Sequence, residues 1–144
     1  MSPFDLDRFV AAQDGIYSDA LAEIAAGRKR SHWMWYVFPQ FAGLGASATS
    51  QHFAIRSLAE ARAYLDHPVL GPRLRQCAEA LLSLQDRTAR EIMGSPDDVK
   101  LRSSATLFAA VSPAGSLFHR LLERYFAGVP DERTLQLIAD ARDQ

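Results

Sequence analysis

Lys29, Arg30, His32, Trp33, Trp35 and Gln40 fall within twelve residues, Lys-Arg-Ser-His-Trp-Met-Trp-Tyr-Val-Phe-Pro-Gln, that hold both tryptophans of the chain. An indole face stacks on a base or a sugar, and lysine or arginine beside it meets phosphate, so the run has the ingredients of a nucleotide site. The same rings could fill the centre of a small domain, with His32 and Tyr36 bonding backbone groups through their polar tips. Both can hold at once, one ring inside and the other lining a cavity.

A second cluster, Pro96-Asp97-Asp98-Val99-Lys100-Leu101-Arg102-Ser103-Ser104, sets two carboxylates in a first helical turn. Lys100 stands three residues before Ser103 and four before Ser104, on their face of the helix. Capping and a solvated surface account for the charges. Ser103, Ser104 and Thr106, however, are small and polar for a packed stripe, and they permit close approach by another helix or a ligand. A third stretch, Gly43-Leu-Gly45 beside Ser47, Thr49 and Ser50, is a tight turn or a wrap for a ligand; it lacks the third glycine of a dinucleotide loop.

Other chemistries find little support. His32, His52, His67 and His119 show no paired spacing on a common helix face and Cys77 stands alone, so no metal site and no cofactor are expected. No nucleophile elbow is present. Sixteen basic residues against seventeen acidic give a net charge of −1, which argues against a dedicated nucleic-acid or membrane surface. A lone cysteine, no signal peptide and no apolar run near the ~18 residues that span a bilayer give the expectation of a soluble, cytoplasmic chain.

Helices must position these groups. A length of 144 residues with 48% apolar content suits one domain with a sizeable core. Leu6, Phe9 and Val10, then Tyr17, Ala20, Leu21 and Ile24, recur at three- and four-residue steps, as do Leu70, Leu74, Ala78, Leu81 and Leu82. Gly27 stops the second helix, leaving Arg28, Lys29 and Arg30 at its negative end. Ser57 and Glu60 have capping-box spacing, and Pro68 ends that helix at His67. Gly94 and Ser95 make a stop and a restart, and Ser95 is expected to cap the next helix. Ser112 and Pro113 are expected to open another, closed by Gly128 and Pro130, with Asp131 capping the last. By composition Trp35 to Phe38 could pass for a strand, but a run without a partner makes no sheet. The expected fold is all-α: a compact single-domain bundle of about seven helices over residues 1–144, with an irregular Gly-rich loop from about Pro39 to Gln51.

His32-Trp-Met-Trp-Tyr-Val-Phe-Pro-Gln40, Gly43-Leu-Gly45, Glu60-Ala61, Tyr64-Leu65, His67-Pro68, Pro96-Asp97-Asp98, Lys100-Leu101, Ser103-Ser104 and Thr106-Leu107-Phe108 together resemble domain-of-unknown-function family 1810 over nearly the whole chain. That resemblance implies a compact, mainly helical domain of uncharacterised activity. The calpastatin label sometimes given to the family does not suit a chain that buries a core, because such inhibitors are disordered. A more distant likeness, carried by Thr49-Ser50-Gln51-His52-Phe53-Ala54, Asp98-Val-Lys100 and Leu117 to Phe126, is to the NADAR group with its YbiA-like proteins. Members of that group hydrolyse N-glycosidic bonds in ribose-phosphate compounds. Their Ser-Glu-His-like motif falls on Ser50, Gln51 and His52, and their later helix lysine on Lys100. Gln51 replaces the acid, so either Asp97 or Asp98 stabilises a cationic sugar instead, or the ligand is bound without being cut.

Two functions follow. As an N-glycosidase, Trp33 or Trp35 stacks on the base and Lys29 or Arg30 holds phosphate. His32 or His52 then handles protons, and Asp98 with Lys100 stands at the sugar. Gln40, Ser50, Gln51, Ser103 and Ser104 complete the ligand-contacting set. As a binding module, the same walls hold a small nucleotide-like molecule such as ADP-ribose without turnover. A protein-interaction domain is the remaining option.

Overall fold

A computed structural model describes residues 3–142. Among them are ten α-helices, not about seven. They are α1 (Asp7–Gln13), α2 (Tyr17–Ala25), α3 (Met34–Val37), α4 (Ala48–His52), α5 (Leu58–Asp66), α6 (Leu70–Ser83), α7 (Ala89–Met93), α8 (Asp97–Ala109), α9 (Leu117–Phe126) and α10 (Glu132–Arg142). The added elements are short: α3, α4 and α7 have four, five and five residues. Helices of one turn carry too little periodicity to register as a stripe, and tertiary packing holds them in place.

Trp35 to Phe38, the strand alternative, lies in and just after α3. The extended pairing among the described residues is a single parallel bridge between Phe41 and Ile55. There Ala42 donates to the Ile55 carbonyl at 2.8 Å and Ile55 to the Gln40 carbonyl at 2.9 Å, pinning the loop after Pro39. The irregular stretch is also interrupted by α4, where Ser47 Oγ accepts from the Ser50 N–H.

Two other caps sit elsewhere than expected. Pro96, after a cis Ser95–Pro96 peptide, precedes α8 with no side-chain cap, so Ser95 does not cap it. Ser116, not Ser112, caps α9 and accepts from the His119 N–H at 3.4 Å. Ser57 caps α5 as expected, but the Glu60 carboxylate accepts from the Arg56 backbone N–H at 2.9 Å rather than from Ser57. Its other oxygen takes the Arg8 guanidinium at 2.9 Å.

At the centre, α6 packs on α2, α5 and α9, while α8 packs on α9, α7, α10 and α5. Leu70, Leu74, Cys77, Ala78 and Leu81 form the buried stripe of α6. Gly71 lets α5 and α6 close up, since a Cβ there would lie 2.1 Å from the Leu65 carbonyl oxygen. One apolar cluster runs from Leu6 through Trp33, Tyr64 and Phe108 to Ile138.

Ser103 and Thr106 answer to helix contact. Ser103 Oγ donates to Asp131 Oδ2 at 3.3 Å, and Asp131 N–H donates to Thr106 Oγ1 at 2.9 Å. The small polar face of α8 thus receives the start of α10, where Asp131 also caps Thr134 N–H at 2.9 Å.

Candidate functional site

Glu23, near the end of α2, organises the aromatic run. Gly27, at φ +81°, turns the chain back across it. Glu23 Oε1 then accepts from the N–H groups of Arg30 at 2.7 Å and Ser31 at 2.9 Å, and from the Trp33 indole at 3.0 Å; Oε2 accepts from Ser31 Oγ. Desolvation opposes the charged carboxylate, but these donors, the Ser31 hydroxyl foremost, outweigh it and hold the group at about 2. Lys29 N–H meets the Ile92 carbonyl at 2.7 Å, fastening the same segment to α7.

The two tryptophans part at this point. Trp33 is sealed in the core at 0% exposure, so its ring offers no face to a ligand in this structure. Trp35, one position into α3, is half-buried and borders two hollows.

The first hollow, about 370 Å³, is walled chiefly by Lys29, Arg30, His32, Trp35, Asp97 and Lys100. Lys29 Nζ pairs with Asp97 Oδ2 at 2.9 Å and lies 4.9 Å from the Trp33 ring. Lys100 Nζ stands 3.6 Å from Asp97 Oδ1 and 5.3 Å from the Trp35 ring. Two ammonium groups therefore share one carboxylate on this wall, and Arg30 adds a third cation to it, while the charged Glu23 carboxylate lies behind, against the Arg30 and Ser31 amides. Such a wall attracts an anion.

The second hollow, about 260 Å³, is walled chiefly by Trp35, Gln40, Gly45, Ser50, Gln51 and Arg56. Gln51 Nε2 donates to the Ala46 carbonyl at 3.1 Å, and Ser47 Oγ donates to Ser50 Oγ at 2.8 Å. Gly45 is needed for this wall because a Cβ there would meet Ser50 at 2.5 Å. No carboxylate is among the residues that line it. It offers an aromatic face, amides and one guanidinium.

Tertiary structure thus brings His32, Lys29, Arg30, Trp35 and Lys100 to one hollow and Gln40, Ser50, Gln51 and Trp35 to the next. Other candidates stand apart. His52 is exposed, edges the Phe53 ring at a centroid distance of 4.6 Å, and lines a third hollow with Arg8 and Glu60. Asp98 does not line the lysine hollow; its Oδ1 is buried with no hydrogen-bond partner, and Asp97 is the carboxylate that faces the space. Ser103 and Ser104 are 2% and 1% exposed, inside the helix packing rather than at a ligand surface.

Sequence reasoning missed Glu23 and Arg56. Nothing in the local pattern marks either: Glu23 acts on groups seven to ten residues further along the chain, and Arg56 reaches the second hollow from outside all three stretches. No cluster of three or more His, Cys, Asp or Glu residues placed to hold a metal ion occurs among the described residues.

An all-helical domain with an indole and lysine hollow is the class that fold and site define. This chain belongs to the family described as Protein of unknown function (DUF1810), whose model matches residues 3–138. It is also similar to the crystal structure of the conserved hypothetical protein Rv1873 from Mycobacterium tuberculosis, with 51% identity over 96% of this chain and 99% of that chain and a TM-score of 0.94. No curated protein matches.

Proposed function

We propose that the protein binds a small nucleotide-like ligand of the ADP-ribose type across Trp35. The observation that carries this reading is the position of that indole as the common wall of a hollow flanked by Lys29, Arg30 and Lys100 and of one lined by amides, a hydroxyl and a single guanidinium. Phosphate belongs with Arg30 and Lys100, where charge-assisted hydrogen bonds are available, and Lys29, buried against Asp97 and the Ser31 carbonyl, adds its charge from behind. The base or sugar belongs against Trp35 in the second hollow, its edge facing Gln40, Ser50 and Gln51. Titrating ADP-ribose while following tryptophan emission tests this. Saturable quenching that is lost in Trp35→Ala and weakened in Lys100→Ala is expected, and a flat response removes the reading.

A second reading, N-glycosidic cleavage of a ribose-phosphate conjugate, is favoured by one observation: Asp97 faces the lysine hollow beside His32. With Gln51 neutral, His32 would donate a proton to the base as the N-glycosidic bond breaks, Asp97 would stabilise the cationic sugar, and water would add to the anomeric carbon and return a proton to His32. The two lysines that hold Asp97 weaken its capacity to do so, which ranks this reading second. Purified protein incubated with ADP-ribosylated guanosine and with riboflavin-pathway intermediates should release free base on chromatography. Release no greater than that of Lys100→Ala leaves binding without turnover.

A further inference from the structure

Away from the lysine hollow, the start of α5 and the end of α10 enclose a further space of about 310 Å³. Phe41, Leu58 and Ile138 contribute its apolar surface, and Arg56, Arg62 and Arg142 its charge. Phe41 and Ile138 are 5% and 6% exposed, so they are fixed parts of the core seen from outside. Among the described residues, no aspartate or glutamate lines it.

Solvated arginines on helices commonly find a carboxylate one turn away, and Arg62 has Asp66 at that spacing. The two do not pair. The ion pairs among the described residues are Arg8 with Glu60 and Asp97 with Lys29 and Lys100. Glu60, the acid closest to Arg62 in sequence, has one oxygen on Arg8 and the other on the Arg56 backbone N–H. Arg56 Nη2 donates to the Gln51 carbonyl at 3.1 Å, which orients its guanidinium at the rim. Among the described residues, three guanidinium forks line one apolar recess with no carboxylate in its wall, more than a single carboxylate would balance; a dianion fits better.

We propose that this recess is a second anion site, which takes an organic phosphate monoester. The phosphate lies among Arg56, Arg62 and Arg142, and the apolar body rests on Phe41, Leu58 and Ile138. The site is independent of the nucleotide reading, although Arg56 and Phe41 also line the hollow beside Trp35.

Phenyl phosphate is a suitable probe, titrated into the full-length chain at low salt and followed by backbone amide shifts. Saturable shifts centred on residues 56–62 and 138–142 are expected. Arg62→Gln and Arg142→Gln should each raise the dissociation constant roughly tenfold, with circular dichroism unchanged. Inorganic phosphate should bind more weakly, since it leaves the apolar floor uncovered, and phenol should give no saturable shift. Lys100→Ala should leave the affinity as it is. The site is overturned by absence of saturation, by full affinity in the Arg62→Gln/Arg142→Gln double variant, or by loss of affinity in Lys100→Ala. Equal affinity for inorganic phosphate would overturn the role of the apolar floor.

Discussion

Trp33 and Trp35 are two residues apart and have opposite duties, and substitution separates them. Trp33→Ala removes a fully buried indole and its bond to Glu23, so a loss of about 3–5 kcal/mol in urea unfolding is expected. Trp35→Ala, on a half-buried ring, should change stability much less while removing most of the ADP-ribose response. Glu23 supplies a pH-dependent contribution. Its folded-state value of about 2 lies below the ordinary 4.5, so its stabilisation is complete above about 4.5 and is lost as pH falls through about 2. Glu23→Gln should therefore unfold at lower urea than the parent at pH 7, with the gap narrowing on acidification from pH 5 toward 2. A gap that stays constant across that range would show that the carboxylate charge is not what holds the segment.

At the scale of elements, close backbone approach sets how α5 meets α6. The contact between α5 and α6 depends on Gly71, and Gly71→Ala forces a methyl group onto a backbone carbonyl that no rotamer change can move. A loss of about 2 kcal/mol or more is expected, read as a lower urea midpoint with an unchanged slope. The helices that hold longer stripes, α2, α6 and α9, are legible in sequence because apolar positions repeat at helical spacing across two or more turns. In contrast, α3, α4 and α7 are not, because one turn has no period to detect. The start of α9 departs from the sequence expectation for a related reason: Ser112 and Ser116 are equally good caps locally, and packing chose the second. Ser112 Oγ instead bonds back to the Phe108 carbonyl at 2.7 Å.

For the molecule as a whole, a single apolar cluster links the first helix to the last, so one cooperative unfolding transition is expected. Cys77 reports on it. Burial pushes its thiol up to about 12, with the nearby Tyr17 hydroxyl opposing that only in part. A thiol-reactive dye should therefore label the native chain very slowly, and the reaction should accelerate in step with the loss of helical circular dichroism through the urea transition. Rapid labelling in the absence of denaturant would show that α6 opens on its own.

Composition, helical spacing and turn residues were enough to determine an all-α domain and to single out the stretches from Lys29 to Gln40 and from Asp97 to Ser104. These features are local, and local physics reads them: a stripe must be buried, and a glycine at positive φ must end a helix. Tertiary structure alone decided that Trp33 is core and Trp35 is wall, that Asp97 rather than Asp98 faces the lysines, and that Ser103 serves α10. Each of those outcomes depends on which neighbour arrives from a distant part of the chain, and two nearby residues of the same type carry no local mark of that difference.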